Sequence, residues 1–280
     1  MLLGYNTNGL NQLPLEDALV ALADLGYASV ALTLDYGSLD PFCRDTWRLQ
    51  APRIARLLQR LGLRCVLETG SRFLLDPRGK HQPTLLHPQA GQRERRWEFL
   101  IRALELARLL RADVVSFWSG APESNEDEEV LWSRLITACQ ALSERAAQLG
   151  IRLGFEPEPG MFIDSMARFA RLYQAINHSA FGLTLDIGHL VCLREPVEGT
   201  IRQWHPILWN VHLEDMRPGI HEHLPFGQGE VPVPCVLRCL AEIGYRGGVH
   251  VELSRHASDG LAMARQARDY LRQYWPPAGV

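Results

Sequence analysis

Four short apolar runs in the C-terminal half of the chain lead into residues that bind cations or move protons. LGFEPEPG carries Glu156, LTLDIGH carries Asp186, WNVHLED carries His212 and VHVELSR carries Glu252. Taken singly, each has an ordinary explanation. A strand-end carboxylate often caps the next helix or makes an ion pair, and a strand histidine is often a hydrogen-bonded core residue. Taken jointly, as the ends of consecutive strands, they aim three carboxylates and one imidazole at nearly one point. Carboxylates held that close repel one another and raise one another's pKa, and a divalent cation removes that cost. Oxygen donors with one imidazole suit manganese or magnesium, with cobalt, iron or zinc as alternatives. In LTLDIGH, Gly188 allows a tight turn that would bring His189 back over Asp186. The competing reading of His189 is an ordinary helix-start residue.

Such convergence needs strands that end side by side, and the chain supplies them. Apolar runs predict strands at Leu2–Asn6, Ser29–Leu34, Arg64–Thr69, Asp113–Trp118, Arg152–Glu156, Gly182–Asp186, Trp209–Leu213 and Gly248–Leu253. Several are nearly continuous in apolar character, as parallel strands covered on both faces are. Between them, helical periodicity predicts helices over Leu15–Leu25, Arg53–Leu61, Arg93–Leu110, Glu126–Leu149, Ser165–Ile176, Val233–Ile243 and Ser258–Tyr274, with a weaker stretch at Thr200–Trp204. The punctuation DLGYASV, RLGLRCV, QLGIRLG and EIGYRGG reads as a helix stop feeding a strand. Eight β/α units predict an α/β fold, a single (β/α)8 TIM barrel, as one domain over residues 1–280. Residues 70–92, with Pro77, Pro83 and Pro88, predict a long loop after the third strand, on the face where such barrels keep their active sites. The expectation is that it covers a substrate and orders on binding.

The set FEPEPG, LTLDIGH, VHLED and HVELS, in this order on strands five to eight, resembles the xylose-isomerase-like superfamily of TIM barrels. Within it, the sequence is most similar to the sugar phosphate isomerase/epimerase group. That resemblance implies one divalent metal ion held by Glu156, Asp186, His212 and Glu252. It implies that Glu156 and Glu252 are also the acid/base pair, and that His189 contacts the substrate. HEHLPFGQGEV resembles the family's loop after strand seven, where a histidine precedes a Gly-x-Gly turn, and this puts His223 among the substrate-binding candidates. Glu158 would orient His189 or face solvent. Arg217 and Glu68 are further substrate-binding candidates, with a solvated loop arginine and a helix cap as the alternatives. Arg72, Arg78, Lys80 and His81 form a local basic group that would suit an anionic sugar, with Lys80 and His81 the two chosen contacts; a solvated charged loop is the alternative.

The implied chemistry is proton transfer next to a sugar carbonyl, where a cation stabilises the developing enediolate and carboxylates remove and return the proton. The leading function is an isomerase or epimerase of a sugar, sugar phosphate or related keto-polyol. A lyase dehydrating a keto-polyol or shikimate-like acid uses the same parts. An endonuclease-like phosphodiesterase is a third reading: its early-strand histidines are missing, since strand three ends in Glu68–Thr69 and strand four in Trp118–Ser119, but His221 and His223 sit where it keeps two further ligands. A sugar-binding barrel without catalysis is the fourth.

Composition narrows the partners. The 280 residues carry a formal net charge of −3, with 46% hydrophobic and 22% charged residues. A nucleic-acid partner is disfavoured, since phosphate-backbone binding calls for a basic surface. No apolar run approaches the roughly 20 residues that span a bilayer, and MLLGYNTNGLNQ does not read as a signal peptide. The expectations are a cytoplasmic enzyme of carbohydrate metabolism, a small sugar-like substrate, no membrane partner and compatibility with a homodimer. The six cysteines form no CxxC pair and read as small buried apolar residues.

Overall fold

Helix termination sets the rhythm of the chain. At Gly26 and Gly150 the backbone enters the left-handed region, with φ of 83° and 69°. Tyr27 N–H then reaches back to Leu22 O, and Ile151 N–H to Ala146 O, at 3.0 and 2.9 Å. A side chain disfavours that conformation, so at these two positions glycine fixes where the helix stops and the following strand begins.

The protein is described from a computed structural model covering residues 1–123 and 126–277. Its strands are β1 (Leu2–Asn6), β2 (Ser29–Thr33), β3 (Arg64–Glu68), β4 (Val114–Phe117), β5 (Arg152–Phe155), β6 (Phe181–Asp186), β7 (Leu208–Leu213), β8 (Asp215–Arg217), β9 (Ile220–Leu224) and β10 (Gly248–Val251). The helices are α1 (Leu15–Asp24), α2 (Ala51–Leu61), α3 (Ala90–Leu110), α4 (Glu128–Leu149), α5 (Met166–Ile176), α6 (Ile187–Cys192), α7 (Val197–Trp204), α8 (Val233–Glu242) and α9 (Gly260–Arg272). Eight strands close a barrel in the order β1-β10-β7-β6-β5-β4-β3-β2, the (β/α)8 architecture that the strand and helix pattern predicts. The antiparallel pair β8–β9 is a separate two-stranded sheet. It falls where the sequence reading has only a loop.

The chain packs as two compact units. The first comprises Met1–Leu32, Leu57–Cys65 and Leu183–Val280, the second Thr33–Arg56 and Val66–Gly182. In the first, parallel register places Asp186 beside His212, His212 beside His250, and His250 beside Gly4. Side chains two apart on a strand share a face, so Asn210 lies on the His212 side. In the second unit the core is aromatic. Phe117, Phe155 and Phe181 meet with centroids 5.0–6.3 Å apart, and Phe169 of α5 stacks on Phe181. Each such buried ring contributes about 1.5–3 kcal/mol.

Two expectations need correction. Cys65, Cys139, Cys192 and Cys239 are buried as read, but Cys43 is exposed and Cys235 half-buried. The loop after β3 is also shorter than expected. α3 starts at Ala90 rather than Arg93. Ser71, Arg72 and His81 hold left-handed backbone, with φ of 54°, 39° and 67°, conformations that cost about 1–3 kcal/mol each and persist only when surrounding contacts impose them. His81 N–H donates to Arg72 O and Leu74 N–H to Ser71 O, at 2.6 and 2.7 Å. Beneath them Arg96 of α3 is buried, and it donates to Ser71 Oγ and Thr69 O, both at 2.8 Å. Its guanidinium also lies over Trp118 and Phe99, 4.7 and 5.2 Å from the ring centroids. Burial lowers its pKa to about 9, so it remains a cation at neutral pH. Arg96→Met would leave two buried acceptors without their donors. It should cost about 1–3 kcal/mol of unfolding free energy and speed protease cleavage within residues 70–82. Parental stability with unchanged cleavage would show that Arg96 does not hold this segment.

Candidate metal centre

β6 ends at Asp186, which also starts α6. Its Oδ1 accepts from His189 N–H at 3.0 Å, an aspartate N-cap. Its Oδ2 is buried, and His189 Nε2 stands 3.6 Å away. Gly188 is needed here for a reason other than a turn. A Cβ at that position would lie 2.0 Å from Glu214 Oε1 and 2.8 Å from Met216 Cε, so only glycine lets α6 sit against the strand that follows β7.

On β7, His212 turns Nδ1 to Glu252 Oε2 at 3.1 Å. Glu252 follows β10 directly, and its Oε1 accepts from Asn8 Nδ2 at 2.8 Å. Glu156 follows β5, and its backbone N–H donates to Phe117 O at 2.8 Å. One ligand atom from each of Glu156, Asp186, His212 and Glu252 lies within 4.8 Å of the other three. This is the quartet read from the strand ends.

Electrostatics show how far the chain itself compensates these charges. Burial alone would raise the Asp186 carboxyl, but the neighbouring His189, His223 and His212 outweigh it and leave its pKa lowered. Burial opposes ionisation of Glu252 too, yet His212, His223 and the Asn8 hydrogen bond hold it well below the usual carboxylate range. Glu214 goes the other way. It is wholly buried, and burial, then the charges of Asp186 and Glu252, then a hydrogen bond to Asp186, push its pKa well up. Three carboxylates and an imidazole make a donor set that fits one divalent cation.

Histidines gather beside this quartet. His221 and His223 share a face of β9, and His189 Nε2 faces His221 Nε2 at 3.1 Å. One of the two nitrogens must donate and the other accept. Burial, then His189 and His223, lower the pKa of His221 to about 4, so it is neutral at pH 7. His189, His221 and His223 form a second group with metal-ligand spacing, and Asp186, Glu214 and His223 a third. The hairpin bearing them is anchored by Asp215. Its carboxylate accepts from Met216, Gly227 and Val231 N–H at 3.1, 2.8 and 3.0 Å.

A sequence-family profile described as a xylose isomerase-like TIM barrel matches residues 19–274. The chain belongs to that family. It is 27% identical over 138 residues to the L-ribulose-5-phosphate 3-epimerase UlaE of Escherichia coli, a stretch covering 49% of each chain. The chain thus spans about half the length of the curated relatives it matches. Among solved structures it resembles the IOLI protein with a binding zinc atom, at a TM-score of 0.79 and 17% identity over 99% of this chain and 100% of that one. It also resembles D-psicose 3-epimerase from Clostridium cellulolyticum H10 with D-tagatose, at a TM-score of 0.78 and 17% identity over the same shares.

The remaining sequence candidates of this xylose isomerase-like barrel are placed as follows. Glu68 is buried at the end of β3, and Glu158 is half-buried in the turn after β5. Arg217 is exposed on the hairpin, where its Nε donates to Gln228 O at 3.1 Å. Lys80 is exposed. His81 is half-buried on Gly70 O at 2.6 Å, against Trp118. Burial lowers its pKa to about 4, so it adds no positive charge at pH 7. Arg72 and Arg78 stand 4.0 and 3.4 Å from Asp35 and Asp76. The basic group seen in the sequence is therefore in part neutral and in part paired. Sequence reading passed over Asn8, Glu214, Asn210 and His250.

The raised Glu214 pKa has a testable sign. Above the ordinary glutamate pKa near 4.5 the unfolded chain releases this proton while the folded, metal-free protein keeps it. Stability is therefore lost as pH rises. Glu214→Gln does not titrate. It should match the parent near pH 4 and become more stable relative to it above that, by up to roughly 1.4 kcal/mol per pH unit. Urea unfolding of the metal-free proteins at pH 4, 5.5 and 7 checks this. A pH-independent difference would refute the protonated carboxyl.

Proposed function

We propose that this protein is a divalent-metal-dependent isomerase or epimerase of a ketose or ketose phosphate, moving a proton at the carbon next to the carbonyl. The observation that carries this reading is the ligand group of Glu156, Asp186, His212 and Glu252. Those four residues would hold the cation. When bound, the cation supplies Lewis-acid polarisation of the substrate carbonyl and adjacent hydroxyl oxygens.

The residues of the chain do the rest. Glu156 and Glu252 exchange protons with the substrate carbon, one removing and one returning. Asn8 keeps Glu252 Oε1 engaged, which fixes how that carboxylate is presented. His189, oriented by its contact with His221, serves substrate hydroxyls, with His223, Glu158, Glu68 and Arg217 as further contacts. Lys80 is the charged group offered to a phosphate, and His81 a neutral hydrogen-bonding neighbour. In this reading the chain works as one catalytic domain, manganese is the first cation to test, and cytoplasmic carbohydrate metabolism is the setting. The names of the relatives, an L-ribulose-5-phosphate 3-epimerase and a D-psicose 3-epimerase, support ketose epimerisation as the first assay. A dehydratase on the same scaffold would release water instead. Among the described residues no helix is long and apolar enough to cross a membrane.

Turnover of L-ribulose 5-phosphate, D-psicose and D-tagatose in D₂O tests the reading. Deuterium should enter recovered ketose at carbon. Glu156→Gln and Glu252→Gln should each lower the rate by about 10²–10⁴ through loss of a positioned base, while the amide oxygen still coordinates. Asp186→Ala should abolish tight metal binding. Full exchange in both glutamine variants would remove these residues from proton transfer, and phosphodiester cleavage without carbon exchange would replace the reaction class.

A further inference from the structure

A line of buried polar side chains runs from the quartet into the interior of the first unit. His212 Nε2 faces Asn210 Nδ2 at 3.2 Å. Asn210 Oδ1 faces His250 Nδ1 at 2.8 Å. His250 Nε2 faces Ser29 Oγ at 2.9 Å. All four residues are at most 1% exposed. Two strands give up side chains to make room for the middle ring: a Cβ at Gly4 would lie 2.3 Å from His250 Cδ2, and one at Gly248 would lie 2.2 Å from its Cε1. The fold has thus cleared space for a polar ring where an apolar side chain would ordinarily pack.

We propose that Asn210, His250 and Ser29 are positioning residues that select which nitrogen of His212 is offered to the cation, and that the chain reverses its donor direction when the cation binds. This rests on the metal-centre reading above. His212 Nδ1 is the nitrogen on the Glu252 side, so it must present its lone pair. A neutral imidazole then carries its hydrogen on Nε2, and that N–H needs an acceptor. As oriented here, Asn210 presents its amide nitrogen to His212, so Nε2 accepts and Nδ1–H points at Glu252. Rotating the amide by 180° exchanges oxygen for nitrogen at almost no steric cost. His212 Nε2–H then donates to Asn210 Oδ1, Asn210 Nδ2 donates to His250 Nδ1, and His250 Nε2–H donates to Ser29 Oγ.

Each member can both donate and accept, so these contacts can run in either direction without a change of charge. His250 suits this because a neutral imidazole offers one donor and one acceptor nitrogen, here facing Asn210 and Ser29. An ordinary metal-ligating histidine is held by one fixed acceptor on its other nitrogen. Here the partner is an amide that serves either state.

Zinc, which is diamagnetic, is the probe, with imidazole ¹⁵N spectra of the histidine-labelled protein as the readout. Without metal, His250 should carry its hydrogen on Nδ1; with one equivalent of Zn²⁺, both His250 and His212 should carry it on Nε2. Asn210→Leu should weaken Zn²⁺ binding by roughly tenfold to a hundredfold, the usual cost of losing the partner of a ligand histidine. Asn210→Asp, which keeps an acceptor for Nε2–H, should retain most of the affinity. If Asn210→Leu does not fold, the parent spectra decide alone. Zinc binding with no change in the His250 tautomer, or with full affinity in Asn210→Leu, overturns the relay and leaves the metal centre standing. A parent protein that takes up no Zn²⁺ overturns both.

Discussion

Ionised carboxylates buried beside one another are the constraint on which this structure turns. Asp186 is held ionised out of water and Glu252 ionised while half-buried, states that cost several kcal/mol at full burial unless compensated. The compensation can be traced group by group. Asp186 Oδ1 takes a helix N–H, Glu252 Oε1 takes the Asn8 amide, and His212 stands against Glu252 Oε2. Glu214 avoids the cost by staying protonated, with a hydrogen bond to Asp186. What points to a cation is the donor set itself, three carboxylates and one imidazole with ligand atoms within 4.8 Å of one another.

Backbone arrangement makes the cluster attainable. Parallel register sets Asp186, His212 and His250 side by side, and strand alternation puts Asn210 behind His212. Glycines remove the side chains that would collide: Gly188 against Glu214, Gly4 and Gly248 around His250, Gly229 against Asp215. At these positions the absent side chain matters more than backbone freedom. Asp215 in turn draws three backbone N–H groups into the hairpin that carries His221 and His223.

Much of this was readable in the sequence because burial on both faces leaves a strong trace. The eight barrel strands are apolar runs, four of them preceded by a helix-ending glycine (Gly26, Gly62, Gly150 and Gly244), and each stands within a residue or two of its expected bounds. The quartet was readable because a polar residue after such a run is conspicuous. What escaped lacks that contrast. DMRPGIHEHL has no apolar alternation, so the β8–β9 hairpin looked like loop. Glu214 follows Leu213 in a polar stretch that resembles a solvated rim. Asn210 and His250 are single polar residues inside apolar strands, and only register shows that they touch. Arg96 hides among the arginines of RERRW, although its spacing to Phe99, Leu100 and Ala103 places it on the buried face of α3.

The central claim is that four side chains hold one divalent cation. Anomalous diffraction at the manganese edge, from crystals grown with Mn²⁺, tests it most directly. The account predicts one strong peak about 2.0–2.3 Å from oxygens of Glu156, Asp186 and Glu252 and from His212 Nδ1, the spacing usual for such cations. A manganese-loaded crystal with no peak there, or with the ion held by the three histidines His189, His221 and His223 alone, would contradict it.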